Sequence, residues 1–421
     1  VAFVVGQDVN WDRPDHQQAT LDKLISLTDH SLIQPVPKEN SEEPYFTFLG
    51  LVREFARAKL APDVLASLRQ RLLLYYASWD EKAWLAAGTA GAKLWLVRFQ
   101  NDFPTIRFVL DTFTAQASAD PDIVGNVARL LTQLTEWKAS GQWRLMLQAT
   151  EWVLTQPVAL PDMLHWRVLY TAAGIALECG ALEVAEDYIQ KATPLAAKLP
   201  IKRAQIVTWH QQGILASIRG DHPESLRAFQ QARALYEDPE FVIEKRSYYL
   251  AATLGLLGTA CFFLGQLEQA ERYQLESLKL EEANGDTAGM AGTYHNMART
   301  YIGQGRLTQA QEALSHSVRL RLQLQDQSGL VRAFAVYAQL ALANANYESF
   351  VLFTAALNRR RTEQGSVPAA HDIREEQQNL ALCAEQLGQR QYQAIWREGS
   401  RLDQAALLER IFAADARSDP D

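Results

Sequence analysis

The chain has 421 residues, of which 48% are hydrophobic and 21% are charged, an ordinary composition for a folded protein of several domains or one long repeat array. Its formal net charge of -8 argues against general binding to DNA or RNA, which requires a basic surface. The three cysteines, Cys179, Cys261 and Cys383, lie far apart and show neither metal-ligand spacing nor a disulfide framework. This cysteine usage predicts a cytoplasmic protein without a metal site.

The first predicted elements lie within residues 1–60. The segments "LDKLISLTDHSLIQ" (residues 21–34) and "PYFTFLGLVREFARAKL" (residues 44–60) predict a helix, a strand, a turn-rich wing and a second helix. This order is typical of a winged-helix domain, so we predict a partial winged-helix domain over residues 1–60 and a helical linker or bundle over residues 61–120. The apolar start "VAFVVGQDVNW" has no basic region and no cleavage site, so no signal peptide is predicted.

A repeated pattern of two helices and a short turn occupies the middle of the chain. The turns carry Gly180, Gly220, Gly265 and Gly305, which are spaced 40, 45 and 40 residues apart. A further unit has Ala345 in place of the glycine, and a weaker early pair at residues 127–154 turns at Gly141. Two linkers, "ANGDTAG" (residues 283–289) and "LQDQSG" (residues 324–329), are also alike.

These units resemble tetratricopeptide repeats, whose helix pairs alternate small and large residues at fixed positions. The unit that matches best has Trp209, Gln212, Gly213 and Ala216 in its first helix and Ser225, Phe229 and Ala232 in its second. The resemblance predicts a mainly all-α fold in which residues 121–365 form a tetratricopeptide-like right-handed superhelix, preceded by the partial winged-helix domain. Such arrays bury their apolar faces only against neighbouring pairs and need caps at both ends.

One uncharged run, "YYLAATLGLLGTACFFLG" at residues 248–265, has the 18 residues that a membrane-spanning helix needs. The run is in phase with the repeat, so we expect a fully buried helix and no membrane association.

The predicted C-terminal cap and tail cover residues 366–421, with further helices between residues 373 and 412. The triple arginine Arg359–Arg361 precedes this cap. It is either an anion site or, more often, a solvated helix end that interacts with the helix dipole.

The two N-terminal segments also resemble the winged-helix end of the nucleotide-binding module in STAND signal-transduction ATPases. The similarity extends to "WLVRFQNDFPTIRFVLDTF" (residues 95–113) and to "AIWREGSRLDQAALLERI" (residues 394–411), which resemble the stretch after the module and the end of the repeat domain. The resemblance implies that the chain is the C-terminal part of a bacterial transcription regulator. ATP or ADP would then bind to an upstream module, and this chain would hold no cofactor.

One position departs from the family pattern. Many members place a histidine near the ADP phosphate at the start of the last winged-helix helix, and Leu49 occupies that position here. This departure implies an apolar packing role for Leu49 and no direct nucleotide contact. We expect His30 to be a structural residue.

No catalytic constellation is evident in the sequence. The glycine-rich "GTAGAKLW" (residues 88–95) lacks the glycine spacing and the hydroxyl of a P-loop, so we read it as an interhelical loop. There is no HExxH, GxSxG or CxxC motif, and the histidines His165, His222, His316 and His371 share no ligand spacing. The chain is therefore predicted not to be an enzyme.

The remaining chemistry is recognition. The first helix of each tetratricopeptide pair lines the groove of the superhelix, and projecting the repeats predicts that the groove is lined by Arg167, Tyr170, His210, Phe262, His295, Arg299, Arg332 and Gln339. Arginines suit a carboxylate or phosphate, and aromatic rings suit a sugar or peptide. In the alternative interpretation these are scattered polar side chains, with the histidines hydrogen-bonded inside the array.

Two functional hypotheses follow. In the first, the chain is the sensor or regulatory region of a STAND-type regulator. A small-molecule inducer or a protein or peptide partner binds to the repeats and controls a nucleotide-dependent switch upstream, with oligomerisation on activation. In the second, the chain is a stand-alone adaptor that binds peptide segments of partner proteins. Neither hypothesis involves direct contact with nucleic acid.

Overall fold

The computed structural model describes residues 14–36, 45–80, 92–117, 120–134, 143–236, 246–324, 326–364 and 370–415. These residues are mainly α-helical, as predicted, and their two strands form one small sheet. The chain divides into two compact units, Val1–Ala204 and Gln205–Asp421. The predicted boundaries at residues 60, 120 and 365 concern a finer division and stay predictions.

The first unit begins with a helix, a two-stranded sheet and a second helix. Its described elements are α1 (Pro14–Asp29), β1 (Ile33–Val36), β2 (Tyr45–Phe48), α2 (Gly50–Lys59), α3 (Pro62–Ala77), α4 (Ala92–Thr114), α5 (Pro121–Leu134), α6 (Trp143–Thr155), α7 (Asp162–Glu178) and α8 (Leu182–Lys198). The strands are antiparallel, with Ile33 opposite Phe48 and Val36 opposite Tyr45. The identity of this region as a winged-helix domain stays a prediction.

Two residues singled out in this region have a defined environment. Leu49 lies just before α2 and is 40% exposed, so its expected apolar packing role stays a prediction. Nδ1 of His30 lies 2.7 Å from the carbonyl oxygen of Ser26, one turn earlier at the end of α1. This local contact is consistent with a structural role for His30.

The core of the first unit lies between α3, α4, α5 and α6. On α4, fully buried residues recur at helical spacing, namely Phe99, Ile106, Leu110 and Phe113. On α5, the buried stripe consists of Val124, Val127, Ala128, Leu130 and Leu131. Residues three and four apart lie on one face of a helix, so each set forms a continuous apolar stripe. The two stripes belong to one hydrophobic core, in which each is shielded from water.

The second unit consists of helices packed in series. Its described elements are α9 (Lys202–Ile218), which begins at the boundary, α10 (His222–Ala234), α11 (Arg246–Phe263), α12 (Leu267–Asn284), α13 (Thr287–Gly303), α14 (Leu307–Gln323), α15 (Gln327–Ala343), α16 (Tyr347–Gln364), α17 (Ala370–Leu387), α18 (Gln389–Gly399) and α19 (Gln404–Asp415). Helices α11 to α16 form three successive pairs, and each second helix also packs against the first helix of the next pair. This arrangement is the predicted tetratricopeptide-like solenoid.

The turn between the two helices of each pair contains a residue in the left-handed backbone conformation. Gly265 and Gly305 both have φ 73°, and the amide of Gln266 donates to the carbonyl oxygen of Cys261 at 2.9 Å. Glycine suits this position because it has no Cβ to oppose the left-handed conformation. Ala345 adopts φ 55° at the equivalent turn, so it replaces the glycine with some backbone strain.

The two similar linkers cap the helices that follow them. Oδ1 of Asp286 accepts a hydrogen bond from the amide of Gly289 at 2.9 Å, and Oδ1 of Asp326 accepts one from the amide of Gly329 at 2.8 Å. Each bond satisfies an amide that has no partner within its helix. The sequence similarity of the linkers therefore reflects a repeated N-cap.

The predicted C-terminal cap is present as α17, α18 and α19. Cys383, Leu407 and Ile411 of these helices join the hydrophobic core formed by α13 to α16. Arg359 donates to the carbonyl oxygen of Ser400 at 3.3 Å, and Arg360 donates to Oε1 of Gln404 at 3.2 Å. These two arginines thus connect the last repeat helix to the cap, rather than ending in solvent alone.

The uncharged run at residues 248–265 forms most of α11, whose buried residues include Leu254, Leu257 and Cys261. Within the described ranges, none of the helices has the length and apolar character that a membrane crossing requires.

Several predicted features fall outside the described residues. They are the apolar start of the chain, the first half of "GTAGAKLW" (residues 88–91), the turn at Gly141, residues 365–369 and the acidic tail after Asp415. The second half of "GTAGAKLW", residues 92–95, was wrongly predicted as loop, because it forms the first turn of α4.

Helix packing in the second unit depends on a glycine at the contact between α9 and α10. A Cβ at Gly213 would lie 2.4 Å from the ring of Phe229, which is only 2% exposed and has little room to move. We expect Gly213→Ala to lower the free energy of unfolding by about 1–3 kcal/mol, since overpacking strains a filled core.

Gly292→Ala provides the matched control, because a Cβ at this helical glycine of α13 meets nothing within 4 Å. It should leave the stability unchanged or raise it by up to about 1 kcal/mol, the difference in helix propensity between alanine and glycine. Denaturant unfolding of both variants measures the effects, and equal effects at the two positions would contradict the close-packing assignment.

Candidate binding surface on the first helices

Two of the predicted groove residues lie in the first unit, on α7. The guanidinium of Arg167 forms a bidentate ion pair with the carboxylate of Asp80, in which Nη1 and Oδ2 are 2.8 Å apart. Both side chains are largely buried, with 12% and 15% exposure. Tyr170 stacks on Trp166 with 5.6 Å between the ring centroids. Because Arg167 is committed to this internal ion pair, we exclude it from the candidate surface.

His210 on α9 is buried and is hydrogen-bonded inside the second unit. Its Nε2 lies 2.9 Å from Oγ1 of Thr253, and its ring meets the ring of Phe229 edge to face. Burial lowers the pKa of His210 to about 4, so the imidazole is neutral at physiological pH. These contacts agree with the alternative interpretation, in which the histidines are hydrogen-bonded inside the array. His210 is therefore also excluded from the candidate surface.

Phe262 and Arg299 meet between α11 and α13. The guanidinium carbon of Arg299 lies 4.6 Å from the ring centroid of Phe262 and 5.0 Å from that of Phe263. Both distances are within the range of cation–π attraction. The rings therefore support the guanidinium of Arg299 at the meeting of two first helices.

His295 lies one turn before Arg299 on α13 and has an unusual electrostatic environment. Its Nδ1 is shielded from solvent and has no hydrogen-bond partner among the described residues. Burial, with the positive charges of Arg299, Arg321 and Arg332, holds the pKa of His295 well below its usual value. The charged groups that act on this imidazole are thus arginines from three successive helices.

Arg321 on α14 is a buried member of this group that the sequence analysis did not single out. Its Nη1 donates to Oδ2 of Asp326 at 2.5 Å and its Nε donates to Oγ of Ser317 at 3.2 Å. Burial and the charge of Arg332 lower the pKa of Arg321, and Asp326 opposes this shift. The linker aspartate was the one sequence signal that indicated a partner for Arg321.

The two remaining predicted residues, Arg332 and Gln339, lie exposed on α15. We use the name cationic face for Phe262, His295, Arg299, Arg332 and Gln339. These residues lie on α11, α13 and α15, which are first helices in contact with one another in order. The cationic face combines guanidinium groups, an aromatic platform and an amide, which suits an anionic ligand with hydrogen-bonding groups.

Metal binding has no visible basis in the part of the chain that the structure describes, where histidine, cysteine and carboxylate side chains do not gather into groups of three or more.

Comparisons with known proteins relate the chain to repeat proteins. The tetratricopeptide repeat family matches residues 249–323, which run from α11 to the end of α14. No curated protein sequence matches the chain significantly.

Among solved structures, a Rap protein complexed with Competence and Sporulation Factor has a TM-score of 0.54 at 12% identity, and the match covers 88% of this chain and 92% of that chain. This similarity shows a shared fold.

Two other solved structures have TM-scores below 0.5. One is the STAND protein PH0952 from Pyrococcus horikoshii, which has a tetratricopeptide repeat sensor (TM-score 0.46, 18% identity, 92% of this chain). The chain spans 59% of that protein. The other is the Rap conjugation gene regulator of the plasmid pLS20 in complex with the Phr* peptide (TM-score 0.39, 14% identity, 75% of this chain and 96% of that chain).

Proposed function

We propose that the repeats of the second unit bind a protein or peptide partner through the cationic face. The observation that carries this proposal is the gathering of Arg299, Arg321 and Arg332 around His295, in a chain whose net charge is -8. Arginines that repel one another are a cost to the free protein, and a ligand of opposite charge offsets that cost. Arg321 is paired with Asp326 inside the repeat, whereas the guanidinium of Arg299 lies over the rings of Phe262 and Phe263 and Arg332 is exposed. We therefore assign the ligand contacts to Arg299 and Arg332.

The extent of the cationic face favours a chain-like ligand over a small molecule. Its residues lie on three successive first helices, from Phe262 on α11 to Gln339 on α15. An extended peptide contacts several helices at once, and an amide such as that of Gln339 pairs with peptide N–H and C=O groups. The Rap protein with which this chain shares its fold was solved with Competence and Sporulation Factor, which is consistent with a binding role for such a fold.

We further propose that the chain is the sensor region of a STAND-type regulator, in which binding to the repeats controls an upstream nucleotide-dependent switch. ATP or ADP, and any oligomerisation on activation, belong to that longer protein. The order of the N-terminal helix, strands and helix supports this proposal. The reading frame that precedes Val1 in the gene tests it: a P-loop module is expected there, and a start codon immediately before Val1 would favour the stand-alone adaptor.

Selection of binding peptides from a displayed random library, followed by hydrogen exchange of the complex, tests the binding proposal. We expect selected peptides to slow amide exchange on α11, α13 and α15 more than on α12 and α14, because the ligand shields and rigidifies the first helices. The second helices serve as the internal control. Protection confined to the second helices or to the first unit, or the absence of any selected peptide, would contradict the proposal.

A further inference from the structure

We propose that the cationic face recognises carboxylates, so that its partner is an acidic peptide segment whose side chains pair with Arg299 and Arg332. This inference rests on the proposed function and specifies the chemistry of the ligand. It depends on the way in which each arginine is held.

Arg299 is oriented by the rings beneath it. A guanidinium that lies over aromatic rings directs its N–H groups sideways, where a carboxylate binds with two parallel hydrogen bonds. The 4.6 Å and 5.0 Å separations from Phe262 and Phe263 restrict this side chain before a ligand arrives. Less conformational entropy is then lost on binding, which favours affinity.

Arg332 supplies the second charge from the neighbouring first helix. It is exposed, and its charge acts on both His295 and Arg321. The partly buried imidazole of His295 stays neutral beside these positive charges. It therefore offers the ligand a hydrogen-bonding group and adds no third charge. Two acidic side chains of one extended segment are therefore the complementary ligand for the two helices.

The composition of the cationic face favours a peptide over a nucleic acid. A nucleic acid requires many cations along its backbone, and the acidic balance of this chain opposes such a polymer. Two arginines, an aromatic platform and the amide of Gln339 suit a short segment with a few carboxylates. An oligonucleotide ligand is therefore an outcome that the experiment must separate from the proposed one.

The experiment measures the anisotropy of a labelled peptide of alternating glutamate and glycine, with the same peptide carrying glutamine as its neutral counterpart. We expect the acidic peptide to bind more tightly and to be weakened by salt. Arg299→Gln and Arg332→Gln should each weaken its binding by about tenfold, the loss of one charge-assisted contact. Arg299→Lys should weaken it less, because lysine keeps the charge and loses the bidentate geometry.

Arg272→Gln is the matched control. Arg272 is exposed on the second helix α12, so the variant removes the same charge from the opposite member of a helix pair. It should bind the acidic peptide like the wild type, and equal melting temperatures verify folding of all variants. The proposal would be overturned if the acidic peptide bound no more tightly than the neutral peptide. It would also be overturned if Arg272→Gln lost as much affinity for the acidic peptide as Arg299→Gln and Arg332→Gln.

Two further outcomes separate this proposal from the proposed function. If the neutral peptide binds as tightly and protects α11, α13 and α15, the binding function stands and carboxylate recognition is wrong. If a labelled oligonucleotide binds more tightly than the acidic peptide and depends on Arg299 and Arg332, a peptide is the wrong class of ligand.

A second inference comes from a pair of equivalent positions in adjacent repeats. Ser277 on α12 donates from Oγ to the carbonyl oxygen of Ala251 at 2.8 Å, and Ser317 on α14 donates from Oγ to that of Ala291 at 2.7 Å. One turn later, the first repeat has Glu281 and the second has Arg321. A carboxyl group and a guanidinium thus occupy the same buried position.

Each of these serine hydroxyls has a single hydrogen to donate, and an ionised carboxylate has none. A hydroxyl has one hydrogen, which the backbone carbonyl already accepts, so the group one turn later must itself donate. Nε of Arg321 does so toward Ser317. Oε1 of Glu281 lies 2.9 Å from Oγ of Ser277, and we infer that Glu281 is a neutral carboxylic acid that donates a hydrogen bond to Ser277.

The surroundings of Glu281 agree with this form. Its Oε1 also accepts from Oγ1 of Thr293 at 2.9 Å, whereas its Oε2 is buried and has no partner among the described residues. Burial raises the pKa of Glu281, the hydroxyl that Thr293 donates opposes this shift, and the charges of Asp286 and Glu282 add to it. The described charged groups acting on Glu281 are thus carboxylates of its own helix and of the following linker.

The neutral acid makes stability depend on pH in a defined direction. The folded state has the raised pKa, so it binds more protons than the unfolded state above about pH 4, and stability falls as pH rises toward the folded pKa. Glu281→Gln keeps the shape without titrating. We expect this variant to be at least as stable as the wild type at neutral pH and to lose less stability as the pH rises above the ordinary pKa of a glutamate, about 4.

Glu276→Gln is the control, because it removes an exposed carboxylate from the same helix. Its stability should change with pH as that of the wild type does. A Glu281→Gln variant that fails to fold, or that has the pH dependence of the wild type, would overturn the inference, since a neutral Glu281 with a raised pKa predicts neither result.

Discussion

The left-handed turn between the two helices of each pair is the constraint on which the second unit depends. It reverses the chain within a few residues, which lets the two helices pack along their lengths. The apolar face of one pair is then covered by the next pair, as in other repeat proteins. The C-terminal helices end this series by placing Cys383, Leu407 and Ile411 in the same core.

The same constraint explains why the candidate surface is spread over several helices. Each pair contributes its first helix to one side of the series, so a partner meets residues from α11, α13 and α15 in succession. Ionisable groups that lie far apart in sequence are thereby brought together, and the positive charge of Arg332 on α15 lowers the pKa of His295 on α13. In the second unit, arginines near this surface have distinct roles: Arg321 is paired inside the repeat, whereas Arg299 is stacked on aromatic rings.

The sequence predicted the features that depend on local chemistry. The turn glycines Gly180, Gly220, Gly265 and Gly305 and the helical cap follow from backbone conformation and hydrophobic spacing, and they are present in the described residues. The sequence also showed that the two linkers are alike, and the structure explains this similarity by the N-caps of Asp286 and Asp326. It could not predict the environment of individual side chains on the first helices. His210 is buried against Thr253, and Arg167 has a partner 87 positions away, neither of which is evident from helical phase. The buried positions of Glu281 and Arg321 were missed because charged residues on a second helix are ordinarily solvated.

The central claim is that a peptide partner lies across the first helices of the second unit. Photo-crosslinking tests it most directly, with a photoreactive residue at exposed Gln339 on α15 in one variant and at exposed Arg272 on α12 in another. We expect a labelled acidic peptide, below its saturating concentration, to crosslink to position 339 and Arg332→Gln to reduce this crosslink by about tenfold. Equal crosslinking at position 272, or a crosslink at position 339 that is as strong in Arg332→Gln as without this substitution, would contradict the claim.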